Sequence, residues 1–224
     1  MTRKTSNILP DFEYFQKGTN PKLLIHSGTH GDEFEVIEFV KNAVKKYENC
    51  LPDFIFVPVV SPSAVKLKTR FNNNGKDLNR VFFSDSTEIE VQENANILYG
   101  HNFDLMVSFH EDPDNDCYYV YDEGIDNIES NKVLDHNQKL KKLGIKLLNG
   151  IDDPNDPHLG QEFVDGYNRL IFDKHPENNG MATVWAIAEK KAKNSLTPEI
   201  PGKIDLEKKE LIVDTFFKDV LCVN

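Results

Sequence analysis

His30 and Glu33 stand three residues apart in the stretch Leu23-Leu24-Ile25-His26-Ser27-Gly28-Thr29-His30-Gly31-Asp32-Glu33. The stretch reads as a buried strand that stops at a glycine turn and opens straight into a helix. At such a junction both side chains can enter one small volume, which is half of a zinc site. The same residues also fit a polar turn capping a helix, with Thr29 or Asp32 as cap and Glu33 favoured by the helix dipole. His110 follows a second apolar run, Asp104 to Phe109, and completes a set of two imidazoles and one carboxylate. That is the ligand set of a catalytic zinc ion with a fourth position open for water. Neutral imidazole and carboxylate suit Zn²⁺, and the lack of thiolates argues against a purely structural site.

Two further groups could serve such a centre. Arg70, Asn79 and Arg80 lie close together in an otherwise acidic chain. A guanidinium binds a carboxylate through paired hydrogen bonds and an amide side chain adds a donor. A solvated basic loop is the alternative, since Lys66, Lys68 and Lys76 are nearby. Glu199 sits in Leu196-Thr197-Pro198-Glu199-Ile200-Pro201, an apolar strand where a lone carboxylate is costly to bury unless paired or functional. Beside an activated water it would act as general base and pass the proton to the leaving nitrogen. On an edge strand it would simply face water.

The elements that must position these residues follow from periodicity. Residues 22–27 read as the first firm strand. Residues 33–48 read as a helix with Phe34, Ile37, Val40, Ala43 and Val44 on one stripe, and Asp53 to Val60 as a second buried strand. Two strands joined by one helix make a parallel βαβ unit. Further along, a short helix or turn starts at Ser61-Pro62-Ser63, and a helix is expected over 87–100. Strands are expected over 104–109, 117–121 and 194–201, and helices over 130–143, 181–192 and 206–221. Residues 1–20 read as a short strand or arm, and 149–180 as a long loop section of the kind that is often functional. The fold expected is a three-layer α/β/α domain spanning 1–224, its sheet mixed but mostly parallel, with helices on both faces. In such sheets sites form at the carboxyl ends of strands, which is where His30, Glu33 and His110 fall.

The chain has 224 residues, 39% of them hydrophobic, and a net charge of −11. An excess of carboxylates makes nucleic acid and membrane surfaces poor partners. The three cysteines, Cys50, Cys117 and Cys222, are widely spaced and read as reduced residues of a cytoplasmic protein. No secretion signal or membrane-length apolar run is visible. Asp112, Asp114 and Asp116 alternate but lack the glycine of a calcium loop; an acidic loop beside the metal fits better. Glu111 and Asp112 are placed to orient His110. His26 reads as a satisfied core histidine, His101, His136, His158 and His175 as surface or loop residues, and Trp185 as core.

Taken in order, His30-Gly31-Asp32-Glu33, Asp77-Leu78-Asn79-Arg80, Ser108-Phe109-His110 and Thr197-Pro198-Glu199 resemble the motif set of the zinc carboxypeptidase (carboxypeptidase A-like) family. That superfamily also contains the succinylglutamate desuccinylases and aspartoacylases. The resemblance covers roughly residues 22–202. It implies one zinc ion on His30, Glu33 and His110, a substrate carboxylate on Asn79 and Arg80, Glu199 as general base, and Arg70 as the group that stabilises the oxyanion. The interval from Glu33 to His110 is short, as in the compact bacterial and deacylase branches. No single tyrosine matches the one that closes over substrate; Tyr118, Tyr119, Tyr121 and Tyr167 stay open. Pro198 stands where many relatives have a residue with a backbone N–H, so strand pairing there is expected to differ. The resemblance implies a zinc hydrolase that cleaves an amide next to a free carboxylate, foremost a metallocarboxypeptidase acting on a peptide C-terminus. An N-acyl amino acid deacylase is the alternative, and a non-catalytic metal-binding protein of the same fold a third. Oligomeric state is left open.

Overall fold

The structure, a computed structural model, describes residues 1–125, 130–153, 155–156 and 159–222. The first half of the chain contributes β1 (Thr2–Thr5), β2 (Glu13–Lys17), β3 (Leu23–His26), α1 (Phe34–Tyr47), β4 (Phe54–Val57), α2 (Pro62–Leu67) and α3 (Ile89–Tyr99). Then come β5 (Phe103–Ser108), β6 (His110–Asp112), β7 (Tyr119–Gly124) and α4 (Ser130–Lys142). The last part holds β8 (Gly150–Ile151), β9 (Glu162–Phe163), β10 (Tyr167–Ile171), α5 (Ala182–Ala188), β11 (Ala192–Pro201) and α6 (Leu206–Phe216).

One mixed sheet runs in the order β1-β2-β4-β3-β5-β11-β7-β10, with β6 also beside β11. Its centre, β4-β3-β5-β11, is parallel, while β2 and β7 join antiparallel. Strands buried on both faces show it in their alternation. Leu23, Ile25, Phe54 and Phe56 pack with residues of α1, α4 and α6, whereas Leu24, Ile55 and Val57 pack with residues of α3 and α5. The three-layer arrangement expected from the sequence is therefore present, and the carboxyl ends of β3, β5 and β11 meet at one edge. Among the described residues no helix is long and apolar enough to cross a membrane.

Several local expectations are corrected. Residues 1–20 form a strand pair, β1 and β2, that extends the sheet antiparallel at β4. Residues 167–171, read as loop, form β10 and pair parallel with β7, because the strand that completes their hydrogen bonds lies more than forty positions earlier. Phe34 opens α1 but is 38% exposed, with Lys68 Nζ 4.2 Å from its ring centre; Val36 takes the buried place instead. His136 is buried, its ring edge-on to Phe216 and Tyr118, not at the surface; His158 lies outside the described residues. Trp185 is core. Cys50 and Cys222 are joined in a disulfide, a link that their separation of 172 positions hid. They meet because α1 packs along α6: Lys46 bonds Asp214 at 2.6 Å and the Tyr47 ring stacks on Phe217. The cysteine pattern therefore no longer argues for a reducing compartment.

Candidate metal centre

After β3 the chain must turn sharply and come back as α1. Gly28 makes the turn with φ of +63°, a left-handed conformation that glycine adopts without a side-chain clash. Gly31 is needed for a different reason. A Cβ there would lie 1.8 Å from the Ala64 carbonyl oxygen in α2, and the Gly31 amide itself donates to Thr69 O at 2.9 Å. This close approach sets the loop between His30 and Glu33 against a rigid neighbour. Gly31→Ala is expected to destabilise the fold by about 1–3 kcal/mol, read as a lower thermal midpoint with reduced metal content.

Glu33 is the N-cap residue of α1, yet its side chain makes no capping bond. The carboxylate turns inward. One oxygen takes a close contact from His30 Nδ1; the other lies 2.9 Å from His110 Nδ1 and accepts the Glu111 amide at 3.2 Å. All three residues are buried, and their candidate donor atoms lie within 4.8 Å of one another. Both imidazoles thus turn Nδ1 to the Glu33 carboxylate, one to each oxygen. Their other nitrogens are occupied: His30 Nε2 is 3.0 Å from Asp77 Oδ1, and His110 Nε2 is 3.1 Å from Ser108 Oγ. A second group that fixes ring orientation is the usual companion of a metal-binding imidazole. The donor set and its support fit a divalent cation such as zinc.

Electrostatics agrees with a site built for positive charge. Burial would push the His30 ring down, but the Glu33 charge and the bonds to Asp77 and Glu33 outweigh it and raise it to about 9. Burial would raise Glu33, yet His30 and His110 hold it well below the usual carboxylate range. His26, behind the site, is buried with both ring nitrogens unpartnered, and burial together with nearby His110 lowers it to about 3. It is a core histidine, as expected, but not a satisfied one.

Asp77 is the residue whose part the sequence did not disclose. It bonds His30 with one oxygen, Arg70 Nε at 2.9 Å with the other, and also accepts the Asn79 amide at 2.8 Å. It thereby ties the His30 ring to Arg70. Its signal was its place at the head of Asp77-Leu78-Asn79-Arg80, where an Asp caps a single turn of helix. Asn79 accepts the Ala182 amide at 3.0 Å, at the start of α5, which leaves its NH₂ group for other partners. Arg80 donates to Asp156 at 2.5 Å and to the Asn79 carbonyl at 2.9 Å.

Glu199 arrives on β11, the strand beside β5 and β6. In the β6–β11 ladder it is the register partner of His110, and in the β7–β11 ladder of Tyr119. The ladder along β11 is interrupted between β5 and β6, opposite Thr197 and Pro198. Proline has no N–H to donate there, and the Phe109 amide turns to His26 O at 2.9 Å. Burial, with the charges of Glu33 and Asp112, raises Glu199 well above its ordinary range. Glu111 and Asp112 do not orient His110 as expected: the Glu111 carboxylate bonds Lys209 and Asp112 accepts the Tyr119 hydroxyl.

His30, Glu33, Arg70, Asn79, Arg80, His110 and Glu199 all line a single cavity of about 200 Å³. Of the open tyrosines, Tyr119 and Tyr121 line it too, while Tyr118 is buried elsewhere and Tyr167 bonds Asp122. The loop section supplies Asp152, Asp153, Leu159 and Gln161 to its wall. Glu123 also lines it, and burial pushes its carboxyl up to about 7. A carboxyl raised in the folded state holds a proton that the unfolded chain releases between its ordinary value and about 7, so folding loses stability as pH rises through that window. Glu123→Gln should therefore stabilise the protein by roughly 1–3 kcal/mol above pH 7 and by nothing below about pH 4.5, which thermal midpoints across pH would show.

Residues 19–147, more than half of the chain, match the succinylglutamate desuccinylase/aspartoacylase catalytic domain. No curated protein matches. Among solved structures, a candidate metallopeptidase from Shewanella denitrificans OS217 is 20% identical, with a TM-score of 0.73 over 98% of this chain and 84% of that one. Murein-tripeptide amidase MpaA from Escherichia coli O157 is 18% identical, with a TM-score of 0.58 over 92% of this chain and 86% of its own. An aspartoacylase family protein from Mesorhizobium loti is 19% identical, with a TM-score of 0.54 over 95% and 62%. At such identities the likeness is one of fold. The buried imidazole–carboxylate centre lies inside the matched segment, apart from the Glu199 strand; the chain belongs to the succinylglutamate desuccinylase/aspartoacylase catalytic domain family.

Proposed function

We propose that this protein is a zinc-dependent hydrolase that cleaves an amide bond next to a free carboxylate, foremost as a carboxypeptidase on a short peptide. The observation that carries the reading is the convergence of a three-donor candidate metal centre, the buried Glu199 carboxylate and two arginines on one cavity. His30, Glu33 and His110 would hold the ion, with Asp77 and Ser108 keeping the rings in place. Bound zinc supplies Lewis acidity and makes water a competent nucleophile near neutral pH. Glu199 takes the proton from the attacking water and returns it to the leaving nitrogen. Arg70 faces the negative charge that develops on the carbonyl oxygen. Asn79 and Arg80 grip the substrate carboxylate, Arg80 exchanging its bond to Asp156 for it.

The second reading, an N-acyl amino acid deacylase, is favoured by the match of residues 19–147 to the desuccinylase/aspartoacylase family. Both readings use the same residues on the same bond type and differ in what lies on the acyl side. The purified protein, its zinc content measured by elemental analysis, is assayed for release of C-terminal amino acids from short peptides and for hydrolysis of N-acyl-aspartate and N-acyl-glutamate. Peptide cleavage that is lost on chelation and restored by zinc supports the first reading. Turnover of the acyl amino acids alone selects the second, and zinc-loaded protein inert on both removes the enzyme.

A further inference from the structure

The face of β7 that carries Tyr119 continues through Tyr121 to Glu123, and in the ladder with β11 these residues stand opposite Glu199, Thr197 and Ser195. Residues spaced by two lie on one face of a strand, and all of these but Ser195 line the cavity. Glu123 is thus built into the same surface as Glu199, about 13 Å along the strand at ~3.4 Å per residue. That separation suits the reach of a long side chain.

The carboxylates of this wall are not equivalent. Asp112 accepts the Tyr119 hydroxyl at 2.8 Å and the Asp114 amide at 3.1 Å. Asp152 accepts the Tyr121 hydroxyl and the amides of Gly160 and Gln161 at 2.8 and 2.7 Å. Glu123 has one donor, Ser195 Oγ, at 3.4 Å. Its sequence neighbour Asp122 takes Arg169 and the Tyr167 hydroxyl. Arg169 is near enough for its charge to act on Glu123, but its guanidinium is bonded to Asp122 and does not line the cavity, whose only lysine or arginine residues among the described ones are Arg70 and Arg80. A carboxylate set into the wall with so little hydrogen bonding has capacity for a positively charged partner.

We infer that Glu123 is a specificity residue that receives an ammonium or guanidinium group, so that the substrate of this cavity carries a cationic side chain as well as the carboxylate held by Asn79 and Arg80. The inference rests on the amide-hydrolase reading above and adds the chemistry of the substrate to it. The chain's net charge of −11 works in the same direction, since it draws cationic ligands to the protein and opposes anionic ones.

The test compares substrates that differ only in the charge. Peptides ending in lysine and in norleucine are assayed side by side, together with N-acyl-lysine and N-acyl-norleucine. Free lysine and norleucine are titrated calorimetrically into zinc-loaded protein, which reads the subsite without turnover. Lysine should be preferred about 30-fold or more in both measurements. In Glu123→Gln the ratio should fall to near unity, and in Glu123→Asp an intermediate ratio should remain. Equal handling of lysine and norleucine by the wild type overturns the inference, as does a lysine preference that Glu123→Gln leaves intact. Lysine-selective binding without hydrolysis would keep the subsite and remove the hydrolase reading, so the two fail separately.

Discussion

Glu199→Gln is expected to lower kcat by about 10²–10⁴-fold while KM and zinc content stay close to wild type and the thermal midpoint does not fall. Glutamine keeps the shape of the side chain and removes only its ability to take and return a proton. The backbone around it is fixed by register partners on both sides, His110 in β6 and Tyr119 in β7, so an isosteric change has little to rearrange. No side-chain hydrogen bond to Glu199 is present among the described residues, and its raised proton affinity arises from burial and from the charges of Glu33 and Asp112. The neutral amide therefore removes a repulsion while leaving the donor set untouched. A loss of that size corresponds to roughly 3–5 kcal/mol of transition-state stabilisation. Steady-state kinetics with parallel metal analysis decides: turnover within tenfold of wild type would strip Glu199 of the role of base.

The largest effect on stability is expected behind the site. Lys209 of α6 is only 2% exposed and donates to Glu35 at 2.5 Å and to Glu111 at 2.8 Å. Glu111 is buried as well, its second oxygen has no partner, and its backbone amide donates to Glu33. Lys209→Met keeps the apolar stem but strands the Glu111 carboxylate, at a cost of about 3–5 kcal/mol. Burial already raises Glu111, with Lys209 opposing the rise. Without the lysine the folded state gains a proton that the unfolded chain does not hold, so the loss should be smaller at pH 5 and grow toward pH 8. Adding Glu111→Gln should recover part of it, because removing both partners leaves no lone charge. Denaturant midpoints for the wild type and the two variants at both pH values would reveal a lysine of no consequence if the single change cost under 1 kcal/mol.

How much of this was legible in the sequence depends on how local the causes are. His30 and Glu33 could be read because a strand, a turn and a helix N-terminus fix them within a few residues. His110 and Glu199 could be read because each closes an apolar strand, and parallel strands that end together bring their ends together. The task of Asp77 is not legible in its motif, since its bond to His30 spans 47 positions and depends on how a single helical turn folds back. β10 hid in a polar stretch because its pairing with β7 is long-range, and the link between Cys50 and Cys222 depends on the packing of α1 along α6. Phe34 fits the helical stripe by period alone, but as the first residue of α1 it stays partly exposed while Val36 and Ile37 of the same turn are buried.

On the proposed function, the bond from Arg80 to Asp156 means that the end of the cavity that would grip a carboxylate is already occupied by the protein's own acid. An incoming carboxylate is weighed against an internal rival, and a ligand that grips less well than Asp156 finds the guanidinium closed to it. On that reading adventitious anions would be turned away, and the grip on a substrate carboxylate would be weaker than its contacts alone give, by the fraction of time the aspartate holds the place.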